Sequence, residues 1–146
     1  MKKFLFLLPI IFLVSCGGYY QPTTGSSTAV KKTAEEMEKE EFEELMVLDS
    51  INKNQTAAES LDILLSDTDD GNKISLIVNN NTNCNIILRF AGDKYYNLPI
   101  YKNRKNFIVI EKGTYSLGAN LCKSRYSSYI PLTQSTTFTL SEASAK

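Results

Sequence analysis

The chain contains no histidine and no tryptophan, and it has only three cysteines and four prolines in 146 residues. Without histidine, the usual serine–histidine–aspartate and cysteine–histidine systems are excluded, because each needs an imidazole as its base. A zinc site that combines cysteine with histidine is excluded for the same reason. A glycine-rich phosphate-binding loop is also missing from the sequence. We therefore expect a protein that is not an enzyme and that needs no metal and no cofactor.

Acidic residues are scarce in the second half of the chain. From residue 73 onward only Asp93, Glu111 and Glu142 occur. Glycoside hydrolysis needs two carboxylates that flank one bond, and only Asp93 and Glu111 are candidates for such a pair. Asp93 follows a glycine and Glu111 precedes a Lys-Gly pair, which are the surroundings of turn residues. A hydrolase therefore ranks last among the functions considered.

The N-terminus has the order of a secretory signal. A positive start, Met1–Lys3, is followed by an apolar run, Phe4–Val14, and then by small residues around Cys16. This order predicts a signal peptide over residues 1–15 that is removed from the mature protein. The alternative is a transmembrane anchor, but the apolar run is shorter than the roughly 20 residues that a membrane-spanning helix needs.

The segment Leu13-Val14-Ser15-Cys16 resembles the lipobox of bacterial lipoproteins. The resemblance implies cleavage before Cys16 and attachment of acyl chains, such as palmitate, to that residue. Two or more chains give stable membrane anchoring, which one chain does not. Gly17, where inner-membrane lipoproteins carry aspartate, implies sorting to the outer membrane in a cell with two membranes. We expect a lipid-anchored protein that faces the periplasm; the alternative is an unmodified cysteine of the signal peptide.

Charge is segregated along the chain. Residues 33–72 hold thirteen acidic and two basic residues, a net charge of −11, whereas residues 73–146 hold ten basic and three acidic residues, a net charge of +7. Such asymmetry indicates two units of different character. Either the basic unit faces an anionic partner, or the acidic segment folds over the basic unit and neutralises it. Nucleic acid is not an expected partner for an exported protein.

A flexible tether is predicted over residues 16–32, and an acidic helical segment over residues 33–66. Capping-box patterns at Thr33 and Thr56 predict a first helix to about Asn52 and a shorter second helix. The apolar residues at helical spacing are Phe42, Leu45, Met46, Leu48 and Ile51, and then Leu61, Leu64 and Leu65. We expect them to pack on the following domain, and a partner helix or self-association is the alternative.

An acidic, solvated linker is predicted over residues 67–72. Its surroundings hint at a calcium-binding loop, but the register does not fit. With Gly71 at the sixth position, the first and third ligand positions hold Ser66 and Thr68, and no glutamate closes the loop. The linker therefore predicts no metal site.

From residue 73 onward the apolar period changes to two, which predicts strands. The predicted strands are Ile74–Val78, Ile86–Phe90, Tyr95–Ile100, Phe107–Ile110, Tyr115–Leu121, Arg125–Leu132 and Thr136–Leu140, with a polar turn cluster at 79–83. About seven short strands with short connections predict a mainly β fold: a small antiparallel, immunoglobulin-like β-sandwich over residues 73–142.

Cys84 and Cys122 remain once Cys16 is assigned to the lipid. An even pair in an oxidising compartment predicts a structural disulfide. Each cysteine lies at the end of a predicted strand, and closing the loop between them stabilises the fold by about 4 kcal/mol in the chain-entropy model. A redox or metal role is the alternative, which the lack of a Cys-x-x-Cys pair disfavours.

Tyrosine is the main candidate for ligand contact, because its ring stacks on sugars or peptides while its hydroxyl hydrogen bonds. We expect Tyr95 and Tyr115 to be core or rim residues. The candidate ligand-binding residues are Lys123, Arg125, Tyr126 and Tyr129. The alternative is that these tyrosines are half-buried residues of a small β-domain.

Four motifs follow one another in the second half of the chain: Val78–Cys84, Tyr96–Ile100, Lys112–Tyr115, and Cys122 with Tyr126 and Ser127. Their order resembles uncharacterised lipoprotein domains of Bacteroidota-type bacteria. The resemblance implies a domain of unknown function and transfers no catalytic residue. Two functions compete: a non-catalytic envelope lipoprotein that serves as a structural or protein-interaction component, and a glycan- or peptide-binding module that uses the Tyr/Lys/Arg surface.

Overall fold

A computed structural model describes residues 32–66 and 71–144. One helix, α1 (Ala34–Leu65), precedes the strands, and a short 3₁₀ helix (Glu142–Ser144) follows them. The strands are β1 (Lys73–Asn80), β2 (Ile86–Ala91), β3 (Tyr95–Ile100), β4 (Lys105–Glu111), β5 (Gly113–Leu121), β6 (Ser124–Leu132) and β7 (Thr136–Leu140). The predicted signal peptide, Cys16, most of the tether and most of the linker lie outside the described residues. No helix in the described part is long and apolar enough to cross a membrane.

The seven strands form two sheets, as the sequence predicted. A three-stranded sheet has the order β4-β1-β7, and a four-stranded sheet has the order β3-β2-β5-β6. The pairs are antiparallel except for β1 and β7, which run parallel. The parallel pair departs from the all-antiparallel expectation. It arises because the chain crosses from β6 to the other sheet and lays its last strand beside its first.

The core lies between the two sheets, where alternate residues of each strand point inward. Its buried members are Ile74, Leu76, Val78, Ile86, Leu88, Phe90, Leu98, Ile100, Ile110, Tyr115, Leu117, Ala119, Leu121, Leu132 and Leu140. Every strand supplies at least one of them, and no residue of α1 belongs to the set. The inner faces of the sheets therefore bury each other, and the helix is left to pack on outer surfaces.

The predicted disulfide is present between Cys84 and Cys122, whose Cα atoms are 5.4 Å apart. Cys84 lies in the loop between β1 and β2, and Cys122 opens the two-residue turn between β5 and β6. Cys122 has φ of 56°, a left-handed conformation that favours glycine. The bridge thus fixes a strained hairpin turn to the neighbouring loop at one end of the sandwich.

A buried amide follows the apolar part of β1, within the polar segment predicted as a turn. Asn80 is fully buried. Its Nδ2 donates to the carbonyls of Cys84, Ile100 and Tyr101 at 2.9, 3.3 and 3.1 Å. Its Oδ1 accepts from the Thr82 backbone N–H and hydroxyl at 3.0 and 2.7 Å. One side chain therefore joins the end of β1 to the next loop and to the end of β3.

Helix α1 is continuous, so the expected break after Asn52 is wrong. Its start is as predicted: the Thr33 hydroxyl accepts from the Glu36 N–H at 3.2 Å, and the Glu36 carboxylate accepts from the Thr33 N–H at 2.8 Å. Thr56 does not cap a second helix, because its hydroxyl donates to the Asn52 carbonyl at 3.1 Å, one turn back. Contacts with the sandwich on both sides of this point hold the helix together.

The middle of α1 is held by polar contacts near the start of β4. Asp49 accepts a hydrogen bond from the side chain of Asn106 at 3.2 Å, and Lys53 donates to the side-chain oxygen Oδ1 of Asn106. The Lys53 ammonium also pairs with Asp49 at 3.1 Å and lies 4.0 Å from the centre of the Phe107 ring. Asn106 is buried and donates to the Pro99 carbonyl at 2.8 Å. This amide therefore connects the helix to both β3 and β4.

The C-terminal half of α1 is fastened to β1 in the same polar manner. The buried hydroxyls of Ser60 and Ser75 hydrogen bond to each other. Lys73 pairs with Glu59 at 2.6 Å. Both sheets thus contribute to the surface on which the helix packs, which we call the helix seat. At the C-terminal half of the helix the contacts are mainly hydrogen bonds and not apolar packing.

The apolar residues predicted to pack on the domain differ in their burial. Phe42 is buried, with 5% of its surface exposed, and its ring meets Tyr101 edge to face with the centroids 5.3 Å apart. Leu45 and Met46 are half-buried. The exposed members are Leu48, Ile51, Leu61, Leu64 and Leu65. The expectation that this later group packs on the domain is therefore wrong, because the helix presents polar side chains to the sandwich there.

Candidate functional site

The outer face of the four-stranded sheet is partly covered by the helix. Arg89 on β2 donates to Glu41 at 2.6 Å and to Glu38 at 3.5 Å. Asn120 on β5 donates to Glu38 at 2.6 Å. Together with the Lys73–Glu59 pair, these contacts favour the interpretation in which the acidic segment folds over its own basic unit. The covered half of the face is held by charge and hydrogen bonds.

A cleft of about 570 Å³ lies between the first turns of α1 and the disulfide. Phe42, Ile87 and the two bridged cysteines line it together with Lys123. A neighbouring cavity of about 360 Å³ is lined by Arg89 and Arg125. Two of the four predicted binding residues, Lys123 and Arg125, thus border the seam between helix and sheet.

The other half of the same outer face is open. Residues that pair directly across neighbouring strands place Tyr95 opposite Ala91, Ala91 opposite Ser116, and Ser116 opposite Tyr129. We call these four residues the tyrosine row. Tyr95 is 82% exposed and Tyr129 is 77% exposed. Since strands lie about 4.8 Å apart, three strand spacings put the two tyrosines about 14 Å apart at opposite edges of the sheet.

A second row runs beside the tyrosine row, one step closer to the helix. It consists of Asn97, Arg89, Gly118 and Ser127, paired in that order across the strands. A side chain on Gly118 would meet no atom within 4 Å, which shows that the space above it is open. Asn97 and Ser127 are exposed. The tyrosine row has small residues between its two rings, and the second row continues the surface with Gly118 and Ser127 beside Arg89.

Strand alternation separates the two tyrosines that the sequence grouped together. Tyr126 points to the inner face and packs against the core, whereas Arg125 and Tyr129 are exposed on the outer face. Tyr115 is buried, as expected, but the expectation that Tyr95 is a core or rim residue is wrong. The exposure of Tyr95 could have been predicted from the alternation of inward and outward residues along β3.

In β3, the inward positions of Leu98 and Ile100 place Tyr96 inside and Tyr95 outside. The sequence showed that alternation. What it could not show was that Tyr95 and Tyr129 share one row, because this depends on the register of three separate strand pairs.

The carboxylates considered for a hydrolase lie near the turn at the other end of the sandwich. Glu111 pairs with Lys94, and this hydrogen bond raises the pKa of the lysine. The Tyr115 hydroxyl donates to the Glu111 carbonyl at 2.9 Å. Burial, with a smaller contribution from Tyr96, raises the pKa of Tyr115. The described residues include no group of three side chains that could hold a metal ion.

The architecture defines a small β-sandwich module with a helix clamped over both sheets and one open aromatic face. Residues 50–143 match the family model described as a domain of unknown function, DUF6759, so the chain belongs to this family. The match starts inside α1, which makes the second half of the helix part of the shared domain. Comparison with curated proteins and with solved structures found no match.

Proposed function

We propose that this chain is a non-catalytic lipoprotein of the outer membrane, lipid-anchored through Cys16 and facing the periplasm, that serves as a structural or protein-interaction component of the envelope. The anchor is supported by the order of charged, apolar and small residues before Cys16. The interaction role is supported by the outward side of α1.

The outward side of α1 carries an apolar stripe without a partner in the described residues. At 100° per residue, Val47, Ile51, Ala58, Leu61 and Leu65 fall within an arc of about 80° and extend over about 27 Å, interrupted within that arc by Asn54. Ile51 is 72% exposed and Leu65 is 80% exposed. The stripe lies opposite the side that holds Phe42 and Ser60. Exposed apolar stripes of this kind mark surfaces for protein partners.

The charge around the stripe indicates the chemistry of its partner. Glu40, Glu43 and Glu44 lie at its N-terminal end, and Asp62 lies beside its later part. An apolar helix flanked by lysine or arginine, on another envelope protein, complements both features. A second copy of this chain would bring acidic residues against acidic residues, unless the two helices were shifted along each other.

The anchor is tested by growing cells with a fatty-acid probe. We expect the full chain to be labelled and to fractionate with the outer membrane, and we expect Cys16→Ala to lose the label. A wild-type chain that is neither cleaved nor labelled would overturn the anchor.

The partner surface is tested by in-cell crosslinking of the full chain. The double variant Ile51→Ser with Leu61→Ser removes the apolar stripe, and Asn52→Ser with Gln55→Ser, at exposed polar residues outside its arc, is the matched control. We expect a crosslinked envelope protein with a basic, apolar helix to disappear in the first variant and to persist in the second. Crosslinks that persist in both variants, or that join only copies of this chain, contradict the proposed partner.

A second function, a ligand-binding module for glycan or peptide, is favoured by a different observation. The tyrosine row places two exposed rings on a face that the helix leaves open. It differs from the predicted Tyr/Lys/Arg surface in using Tyr95 with Tyr129, while Tyr126 packs inward. The two functions use different surfaces, so each can be tested without the other.

A further inference from the structure

We propose, resting on the second function above, that the tyrosine row binds a neutral glycan chain that lies across the strands of the four-stranded sheet. The ligand bridges Tyr95 at one edge and Tyr129 at the other, above Ala91 and Ser116. Four observations carry this: the spacing of the rings, the low floor between them, the charge of the face, and the free polar side chains beside it.

The spacing of the two rings selects an extended ligand. Tyr95 and Tyr129 occupy one row, about 14 Å apart by three strand spacings. A single sugar is too small to reach both rings, whereas an oligosaccharide spans them. The apolar faces of sugar rings stack on aromatic faces, and the tyrosine hydroxyls are left to hydrogen bond.

The floor between the rings admits a broad ligand. Ala91 and Ser116 separate the tyrosines within the row, and Gly118 with Ser127 continues the floor in the next row. The open space above Gly118 adds to its depth. Small side chains between two large rings form a shallow trough, which matches a ribbon of linked sugar rings better than a compact ligand.

The charge of the two rows favours a neutral ligand. Arg89 is the one charged residue in the two rows. Its guanidinium forms ion pairs with two carboxylates of the helix, Glu41 at 2.6 Å and Glu38 at 3.5 Å. The tyrosine row itself carries no charge. An anionic polymer would find no unpaired cation in these rows, and its approach would be opposed by the helix carboxylates.

The polar side chains on the face are free to contact hydroxyl groups. Within the described residues, the side chains of Asn97, Ser116 and Ser127 make no hydrogen bond and are exposed. They supply both donors and acceptors. Sugar hydroxyls require such mixed groups, which gives the trough a means of orienting the chain.

A peptide fits this face less well. Extended peptides are held mainly by hydrogen bonds to a free strand edge. The tyrosine row runs across four strands, where the backbone groups of the inner strands β2 and β5 are already used by their neighbours. Only side chains are offered to a ligand here, which suits stacking and hydroxyl contacts.

The proposal is tested with the full mature chain, purified in detergent, against two sources of glycan. One arm measures co-sedimentation with purified peptidoglycan sacculi, and the other measures retardation in gels that contain soluble neutral polysaccharides: laminarin, xylan or mannan. We expect binding in at least one arm, and the arm that binds identifies the source as envelope or external glycan.

Tyr95→Ala and Tyr129→Ala are each expected to weaken binding about tenfold, equivalent to about 1.4 kcal/mol, because each variant loses one stacked ring. Tyr95→Phe and Tyr129→Phe keep the rings and are expected to retain most of the affinity. Leu65→Ala, at an equally exposed apolar residue of the helix, is the matched control and is expected to bind as wild type.

Three outcomes overturn the proposal. They are no binding in either arm, equal binding by the wild type and the variant that combines Tyr95→Ala with Tyr129→Ala, and capture of an extended peptide library in place of glycan. Because Tyr95 and Tyr129 are exposed, unchanged thermal unfolding of the variants separates lost contact from lost fold. None of these measurements depends on the apolar stripe or on the lipid, so failure here leaves the interaction role standing.

Discussion

The two sides of helix α1 both carry apolar residues, which departs from the usual arrangement of a surface helix. The inward side meets the sandwich through Phe42 and through the polar side chains of Asp49 and Ser60, whereas the outward side carries Ile51 and Leu65. An ordinary amphipathic helix hides its apolar face. Here the sandwich core is complete without the helix, so the helix docks on outer surfaces, through Phe42 in its first half and mainly through polar side chains after it. The comparison teaches that the exposed apolar residues of the helix are not needed to complete the core, which is why we propose them as a partner surface.

The largest effect is expected from Phe42, the one apolar residue of α1 that is buried. Phe42→Ala should lower the free energy of unfolding by about 3 kcal/mol, because a buried phenylalanine leaves a cavity between helix and sheet. Ile51→Ala, on the outward side, should change it by less than about 0.5 kcal/mol. Urea unfolding of both variants measures the difference. Equal losses would show that the outward side is also packed.

A smaller loss is expected when the polar seat of the helix is broken. Asn106→Ala should cost about 2 kcal/mol, because it leaves the Pro99 carbonyl and the Asp49–Lys53 pair without their buried partner. Asn54→Ala, at an exposed asparagine of the same helix, is the control and should be nearly neutral. Chemical unfolding of the two variants is the measurement, and a neutral Asn106→Ala would mean that the amide merely fills space.

The ion pairs of the N-terminal half should contribute less again. Arg89→Met should lower stability by roughly 1 kcal/mol or less, because the pair with Glu38 and Glu41 is partly exposed. The loss should shrink at high salt, which screens exposed charges. Arg125→Met, on the same face, should have no salt-dependent effect. A loss of stability in Arg89→Met that is the same at low and high salt would contradict an electrostatic role for the Arg89 ion pairs.

The smallest effect is expected from alkaline pH, which acts on both the helix seat and the sandwich. The hydrogen bond that Lys73 donates to Glu59 raises the pKa of Lys73, and burial raises the pKa of Tyr115. Both groups hold their protons more tightly in the folded state, so stability is complete below their ordinary values, near 10, and falls as the pH rises through the raised values.

Unfolding free energies measured from neutral pH to above pH 10.5 test this expectation. Lys73→Met should remove part of the alkaline loss, and Tyr115→Phe should remove another part. Stability that increases above pH 10 would show that the sign of the linkage is wrong.

The fold was largely predictable because its signals are local. The alternation from residue 73 onward located every strand, and Thr33 with Glu36 located the start of the helix. The pairing of Cys84 with Cys122 followed from their number and from the predicted export of the chain. In each case, neighbouring residues or simple counting carried the information.

The candidate site was only partly predictable because it depends on contacts between distant residues. Tyr129 was predicted, but its partner in the row, Tyr95, joins it through three strand registers. Asn80 and Asn106 belong to polar segments whose burial is decided by the elements that cover them. The apolar residues of the helix were misplaced because their orientation depends on a surface that the local pattern does not encode.

The parallel pairing of β1 with β7 also has a kinetic consequence. Leu76 of β1 lies opposite Thr136 of β7, which is 60 positions later in the chain. The central strand of this sheet therefore cannot complete its pairing until β7 is available. High contact order of this kind slows folding. A chain that is shortened before β7, or held up before β7 emerges, would leave the flank of β1 unpaired and open to proteases and to aggregation.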